Sequence, residues 1–320
     1  MMAWEKRLQN ELSSIRGNEP MSRHTTLGVG GPAQYFYVAE SIEDLVKAAS
    51  AARNTGAPFR VIGNGSNLIV SDRGIEGLTI VNRSKGLQID KTSGRVIAES
   101  GVPLSRMILE AANSGLGGLE PLYGIPGTVG GAVVNNAGAH GASIAQFLRS
   151  SSVMTTSDKI LNAKNDWFKF SYRASRLKGL RSSAPPVVLN AIFQLQQRKG
   201  DDALADVAKY KKWREKHQPV GERTCGSIFK NPGGESGGLP PEKTAGYLLD
   251  QAQAKKMRVG PARVSKIHAN WVVVTGEASS WQIRQLIEKM REAVNERFTI
   301  ILQEEVEYLG SWDETDAKQK

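Results

Sequence analysis

A chain of 320 residues, 40% hydrophobic and 23% charged, has the composition of a globular protein that buries a core without staples, which excludes fibrous and disordered classes. Its one cysteine, Cys225, excludes an intramolecular disulfide and fits a reducing compartment. The formal charge of +10 favours anionic partners, but the basic residues are spread along the whole chain, which argues against nucleic acid.

Met1 to Arg16 is polar and lacks the apolar stretch of a secretory signal. No apolar run reaches the length of a membrane span, so a cytoplasmic protein without a membrane partner is expected. Ser41 and Asp44 make a capping-box pattern ahead of Ile42, Leu45, Val46 and Ala49 on one helical face, and Gly56 is the expected stop. Strand-like runs follow at Phe59–Ile62 and Leu78–Val81, with a boundary near Asn82 to Gly86. A second region opens on the strand Arg95–Glu99 and a helix carrying Leu104, Met107, Ile108 and Ala111. The glycine-rich stretch Gly115–Gly141 comes next, then strands at Ser152–Thr155 and Val187–Leu195. Gln196–Asp202 reads as a linker. Beyond it lie a basic helix over Ala203–Lys216, a helix over Thr244–Ala252 and a strand at Trp271–Thr275. Ser279 and Gln282 cap a helix from Ser280 to Arg297 with Ile283, Leu286, Ile287, Met290 and Val294 on one face. A strand near Ile300–Leu309 and a polar tail, Asp313–Lys320, close the chain. Helices and strands do not alternate strictly, so the class is α+β.

Two segments invite a ligand. In Gly63-Asn64-Gly65-Ser66-Asn67 two glycines let backbone approach closely, successive amides form an anion nest, and Ser66 and Asn67 add donors; an ordinary tight turn is the alternative. Gly124-Ile-Pro-Gly-Thr-Val-Gly-Gly131, running on to Asn136-Ala-Gly138, is longer than a turn needs and carries apolar residues that a linker would waste. Two such loops fit one long dinucleotide. The four histidines, His24, His140, His217 and His268, lie far apart, so no metal cluster is expected, and neither a P-loop nor a Ser–His–Asp set stands out.

The ordered motifs IGNGSNLIVSD (Ile62–Asp72), GIPGTVGGAVVNNAGAHG (Gly124–Gly141), SYRASRLK (Ser171–Lys178), GSIFKNP (Gly226–Pro232), VSKIHANWVVVTG (Val264–Gly276) and QEEVEYLG (Gln303–Gly310) resemble the UDP-N-acetylenolpyruvoylglucosamine reductase (MurB) family. An early HTTLGVGG (His24–Gly31) adds to the likeness, which spans about Thr25 to Gly310. The resemblance implies a two-lobed FAD-binding domain of the PCMH type over about 20–200, with lobes about 20–83 and 84–200. It implies a smaller α+β substrate domain over about 201–298, and a C-terminal strand, about 299–312, returning to the FAD domain with Glu305. It also implies non-covalent FAD, NADPH as reductant, a UDP-sugar enolpyruvate as substrate, peptidoglycan precursor synthesis as the setting, and a monomer.

By the same resemblance Arg173, Ser227 and Glu305 are catalytic. Hydride addition to the enol ether leaves negative charge that spreads into a carboxylate, which suits a forked guanidinium, Arg173. The adjacent carbon then needs a proton, assigned to Ser227, and Glu305 steadies the second electron-rich centre. Their bland alternatives are a surface arginine (Arg176 and Arg181 lie nearby), a routine turn serine, and a solvent-facing glutamate with Glu304 as competitor. The expected FAD contacts are Gly63, Asn64, Gly65, Ser66, Asn67, Gly127, Thr128, Gly130, Gly131, Asn136 and Gly138. The expected substrate contacts are Tyr172, Lys230, Asn231, His268 and Asn270; for His268 a buried ring bonded to backbone is the alternative. Ser171, Cys225 and His140 stand where the family more often has glycine, alanine and tyrosine. Oxidation of Cys225 could hinder Ser227; an inert small residue is the other reading. Two rival functions remain: a PCMH-type oxidase with flavin attached through His24 or His140, and a basic nucleic-acid-binding protein.

Overall fold

The computed structural model describes residues 3–178, 180, 182–234 and 240–312; the polar tail Asp313–Lys320 and Arg181 lie outside them. The described chain forms two compact units. Among the described residues, the first comprises those within 3–17, 35–63 and 77–213, the second those within 18–34, 64–76 and 214–312.

The first unit holds two apolar cores. In one, the helix Ile42–Thr55 starts where the Ser41 side chain accepts the Asp44 N–H, and Leu45, Ala48, Ala49 and Ala52 are buried. They pack with Phe59, Leu78 and Ile80 from the parallel strands Phe59–Ile62 and Ile75–Asn82. The other core lies on an antiparallel sheet ordered Ile160–Lys164, Leu148–Met154, Val187–Gln194, Arg95–Glu99, Leu87–Asp90. Met107, Ile108 and Ala111 of the helix Leu104–Asn113 fill it as their spacing requires.

The glycine-rich stretch is more ordered than its composition suggests. It contains the helix Val129–Asn135, because Val129, Ala132 and Val133 recur at helical spacing and are all buried in the second of these cores. The expected linker Gln196–Asp202 is not a linker. Gln196–Gln197 pairs with Leu116–Gly117, and the helix Gly200–His217 starts directly afterwards. The Arg198 guanidinium binds the buried Glu120 at 2.8 Å and Asp206 at 2.9 Å, which ties this polar run down.

The second unit is built on the antiparallel sheet Thr224–Ser227, Trp271–Val274, Ala262–Val264, Arg258–Val259. The helix Ser280–Phe298 carries the capping box read from Ser279 and Gln282, and its five apolar residues, Ile283 to Val294, are at most 1% exposed. Burying each of these side chains contributes roughly 1.5–3 kcal/mol. Asp72 accepts the Ser280 and Trp281 N–H groups at the same helix start.

The expected continuous strand Ile300–Leu309 is interrupted. Glu304 makes an isolated bridge to Phe229, whereas Glu307–Leu309 runs parallel to Leu68–Val70. The segment changes partner between Glu305 and Glu307, so no single ladder spans it. Leu302 and Val306 are still buried together, as the alternation predicts.

Candidate functional site

In the first unit the Tyr-Arg motif sits at the tip of a two-residue turn. Ser171 and Ala174 exchange both backbone hydrogen bonds, at 3.1 and 3.2 Å, leaving Tyr172 and Arg173 between them. Arg173 has φ of 53°, in the left-handed region that a non-glycine residue enters at a cost of about 1–2 kcal/mol. The surroundings over-determine it. Asn136 Nδ2 donates to Ser171 O at 2.9 Å, Ser175 Oγ donates to Val134 O at 2.6 Å, and Arg176 N donates to Phe168 O at 2.7 Å. Gly138 leaves room for the guanidinium: a methyl there would come within 2.9 Å of an Arg173 terminal nitrogen. Arg173 also lies over the Tyr172 ring, 5.3 Å from its centroid. Strain held this firmly is characteristic of functional residues. Arg176 is engaged separately, over Trp167 at 4.5 Å.

Asn136, expected at the cofactor, closes the helix Val129–Asn135 in a left-handed conformation with φ of 44°. Its carboxamide also accepts the Ala145 N–H at 3.0 Å, so both ends of that group work within the protein. Gly63 lies against the second glycine-rich segment in this unit. A methyl on Gly63 would stand 2.4 Å from Thr128 Oγ1.

In the second unit Ser227 ends its strand, opposite Trp271. A bulge separates Thr224 from Ser227 in the pairing, and Gly226 inside it has φ of 83°. The extra residue re-aims the chain at the serine and calls for glycine. The following backbone is bonded on both sides. Ile228 O accepts the Glu305 N–H at 2.7 Å, and Lys230 N donates to Gln303 O at 2.8 Å. Asn67 Nδ2 donates to Glu305 O at 3.1 Å, and Asn67 O accepts from Glu307 N at 2.9 Å. Ser66 O lies 3.8 Å from where a Gly226 methyl would be. The Asn64–Asn67 loop, Ser227 and Glu305 are thereby gathered in one place.

Two carboxylates compete at the C-terminal motif, and the fold separates them. Glu304 forms an ion pair with Arg291, whereas Glu305 is held by its backbone at Ile228 and Asn67. Asn231 Oδ1 accepts the Ala245 N–H at 3.1 Å, at the start of the helix Ala245–Gln251. Lys230 is partly buried.

His268 Nδ1 accepts the Asn270 N–H at 3.2 Å. Burial and the nearby Lys255 push the ring's pKa down to about 4, so it is neutral near pH 7 and carries its proton on Nε2. Asn270, expected at the substrate, is only 4% exposed, and its carboxamide is committed to the backbone of Phe229. Burial pushes the Cys225 thiol up to about 12. A shielded, protonated thiol is inert, which favours the small-residue reading over oxidation. Among the described residues no group of His, Cys, Asp or Glu is arranged to hold a metal ion, and no helix is long and apolar enough to cross a membrane.

Sequence reading missed the fixing partners rather than the chemical groups. Asn67 as a support for Glu305, and Asp72 as a cap for a helix 208 residues further on, have no local signal. Each needs tertiary proximity.

Residues 33–164 match an FAD binding domain family, and residues 218–309 match the UDP-N-acetylenolpyruvoylglucosamine reductase C-terminal domain. The chain is 36% identical to a UDP-N-acetylenolpyruvoylglucosamine reductase of Halalkalibacterium halodurans, over 94% of this chain and 96% of that one. The Bacillus subtilis protein of that name is 33% identical over 94% and 96%. The crystal structure of the enzyme from Thermus caldophilus superposes with a TM-score of 0.76 at 32% identity, covering 92% of this chain and all of that one. With such identity over nearly its whole length, and with the serine, arginine and glutamate motifs in place, the chain belongs to the UDP-N-acetylenolpyruvoylglucosamine reductase (MurB) family.

Proposed function

We propose that this chain reduces the enolpyruvyl group of UDP-N-acetylglucosamine enolpyruvate to UDP-N-acetylmuramate, using FAD and NADPH, with Arg173, Ser227 and Glu305 doing the chemistry on the sugar substrate. The observation that carries the assignment is the joining of Ser227 and Glu305 through Ile228, with the competing Glu304 taken up by Arg291. As a precursor enzyme of peptidoglycan it would act as a cytoplasmic monomer.

The residues present fit FAD. Gly63 packs so closely against Thr128 that any side chain would clash, while Gly131 opens onto space, with only Thr128 Oγ1 within 4 Å of a built methyl. We assign Gly63, Gly127, Thr128, Gly130, Gly131 and Gly138, with Asn64, Gly65, Ser66 and Asn67, to holding it. Bound there, FAD supplies a hydride carrier between NADPH and the terminal carbon of the enol ether.

This chain's residues then manage charge and a proton. As hydride arrives, negative charge spreads from the adjacent carbon into the substrate carboxylate. Arg173, permanently cationic and forked, pairs with that carboxylate. Ser227 Oγ gives its proton to the carbon; a hydroxyl is a weak acid, yet a carbanion-like centre is the stronger base. Water then reprotonates the resulting alkoxide, and Lys230 is assigned to holding the substrate. Glu305 is assigned to the second electron-rich centre. Tyr172, Asn231 and His268 are assigned to orienting the sugar nucleotide, His268 as a neutral donor through Nε2.

The test is spectroscopic. Anaerobic NADPH should bleach the flavin of the holoenzyme, and the enolpyruvyl UDP-sugar should restore its colour. Bleaching without recovery, while oxygen does restore the colour, would reject the substrate. Acid precipitation should leave yellow flavin in the supernatant; a yellow pellet would favour the oxidase with attached flavin.

A further inference from the structure

The strand that carries Ser227 loses its sheet partner just where the chemistry begins. Pairing with the neighbouring strand ends at Ser227 opposite Trp271, yet Ile228, Phe229 and Lys230 must stay extended to hold the serine on one side and receive Glu305 on the other. One residue fills the gap. Asn270 O accepts the Ile228 N–H at 2.9 Å, Asn270 Oδ1 accepts the Phe229 N–H at 2.9 Å, and Asn270 Nδ2 donates to Phe229 O at 2.8 Å. Its carboxamide imitates the peptide of a missing strand and continues the ladder by two bonds. On the opposite edge Ile228 O and Lys230 N bind Glu305 N and Gln303 O. A three-residue rung is therefore fixed on one edge by Asn270 and bears Glu305 on the other, with Ser227 at its head. Asn270 is itself held by its N–H to His268 Nδ1 at 3.2 Å, and is only 4% exposed, with its carboxamide bonded to both backbone polar groups of Phe229.

We propose that Asn270 is a positioning residue that sets the placement of Ser227 relative to Glu305 through its carboxamide on Phe229. The inference rests on the functional reading above, and gives Asn270 a task other than touching substrate. Removing the clamp leaves a buried N–H and C=O at Phe229 without partners and lets the rung shift. A misplacement of about 1 Å at a reacting group costs on the order of 100-fold in rate.

The experiment uses the FAD-loaded enzyme and compares wild type, Asn270→Ala, Ser227→Ala and the double variant in two separate half-reactions. Asn270→Ala should reduce its flavin with NADPH at close to the wild-type rate, with KM for the sugar substrate little changed. Flavin reoxidation by the enolpyruvyl UDP-sugar should slow by about 10- to 100-fold. Because Asn270 acts through Ser227, the double variant should reoxidise no more slowly than Ser227→Ala, within about twofold. Wild-type reoxidation by Asn270→Ala would overturn the inference while leaving Ser227 as donor. Multiplying penalties in the double variant, or equal losses in both half-reactions, would overturn it too. Wild-type reoxidation by Ser227→Ala would overturn the donor assignment and the inference together. Should Asn270→Ala fail to fold, the isosteric Asn270→Asp, which keeps the acceptor for Phe229 N–H and loses the donor, serves in every comparison.

Discussion

Arg173 shows how a single residue can be placed against its own conformational preference. Its φ of 53° is costly for an arginine, and the bonds from Asn136, Ser175 and Arg176 on the flanking backbone keep it there. Arg173→Gly removes the strain but loosens the unfolded chain by about 0.5–1 kcal/mol, so its stability should lie within about 1 kcal/mol of wild type. Turnover of the sugar substrate should nevertheless collapse. Arg173→Lys keeps the charge but not the fork and should also be badly impaired. Thermal denaturation alongside steady-state rates checks both; a Gly variant several kcal/mol less stable, or a Lys variant near wild-type speed, would refute the respective expectation.

The elements bear out much of the pattern and depart from it where partners change. The amphipathic helices Ile42–Thr55, Leu104–Asn113 and Ser280–Phe298 follow from apolar spacing and caps, since both signals are local. The broken strand after Ile300 does not, because its break depends on two different partners, Phe229 and then Leu68–Val70. The order hidden in Gly115–Gly141 is missed for a related reason: the glycines mask the helix Val129–Asn135. The chemical groups of the candidate site were legible from ordered motifs, whereas Asn67, Asn136 and Asn270 as supports were not, because a carboxamide's use is decided by what folds against it. The bulge at Gly226 is the element on which Ser227 depends. Gly226→Ala should cost about 1–2 kcal/mol through its φ of 83° and should slow sugar reduction more than flavin reduction. Denaturant melts and the two half-reaction rates measure this; equal slowing of both rates would count against a role for the bulge in aiming Ser227.

At the scale of the whole molecule, each compact unit has its own apolar core, two in the first and one in the second. Acid should weaken the fold through His268. Its folded pKa of about 4 lies below the ordinary histidine value, so the unfolded chain binds a proton that the native one excludes. Stability is therefore unaffected at pH 7 and falls as pH drops from about 6.5 towards 4, by at most about 1.4 kcal/mol per pH unit from this group. His268→Gln should flatten that dependence in denaturant melts at pH 7 and pH 5; an unchanged slope would place the cause elsewhere. The central claim is that the two half-reactions use separable groups, with Ser227 serving only the reduction of the sugar substrate. Anaerobic single-turnover absorbance of Ser227→Ala tests it most directly. Flavin bleaching by NADPH at the wild-type rate, followed by failure of the enolpyruvyl UDP-sugar to restore colour, is the expected result; loss of both steps together, or full recovery of colour, would contradict it.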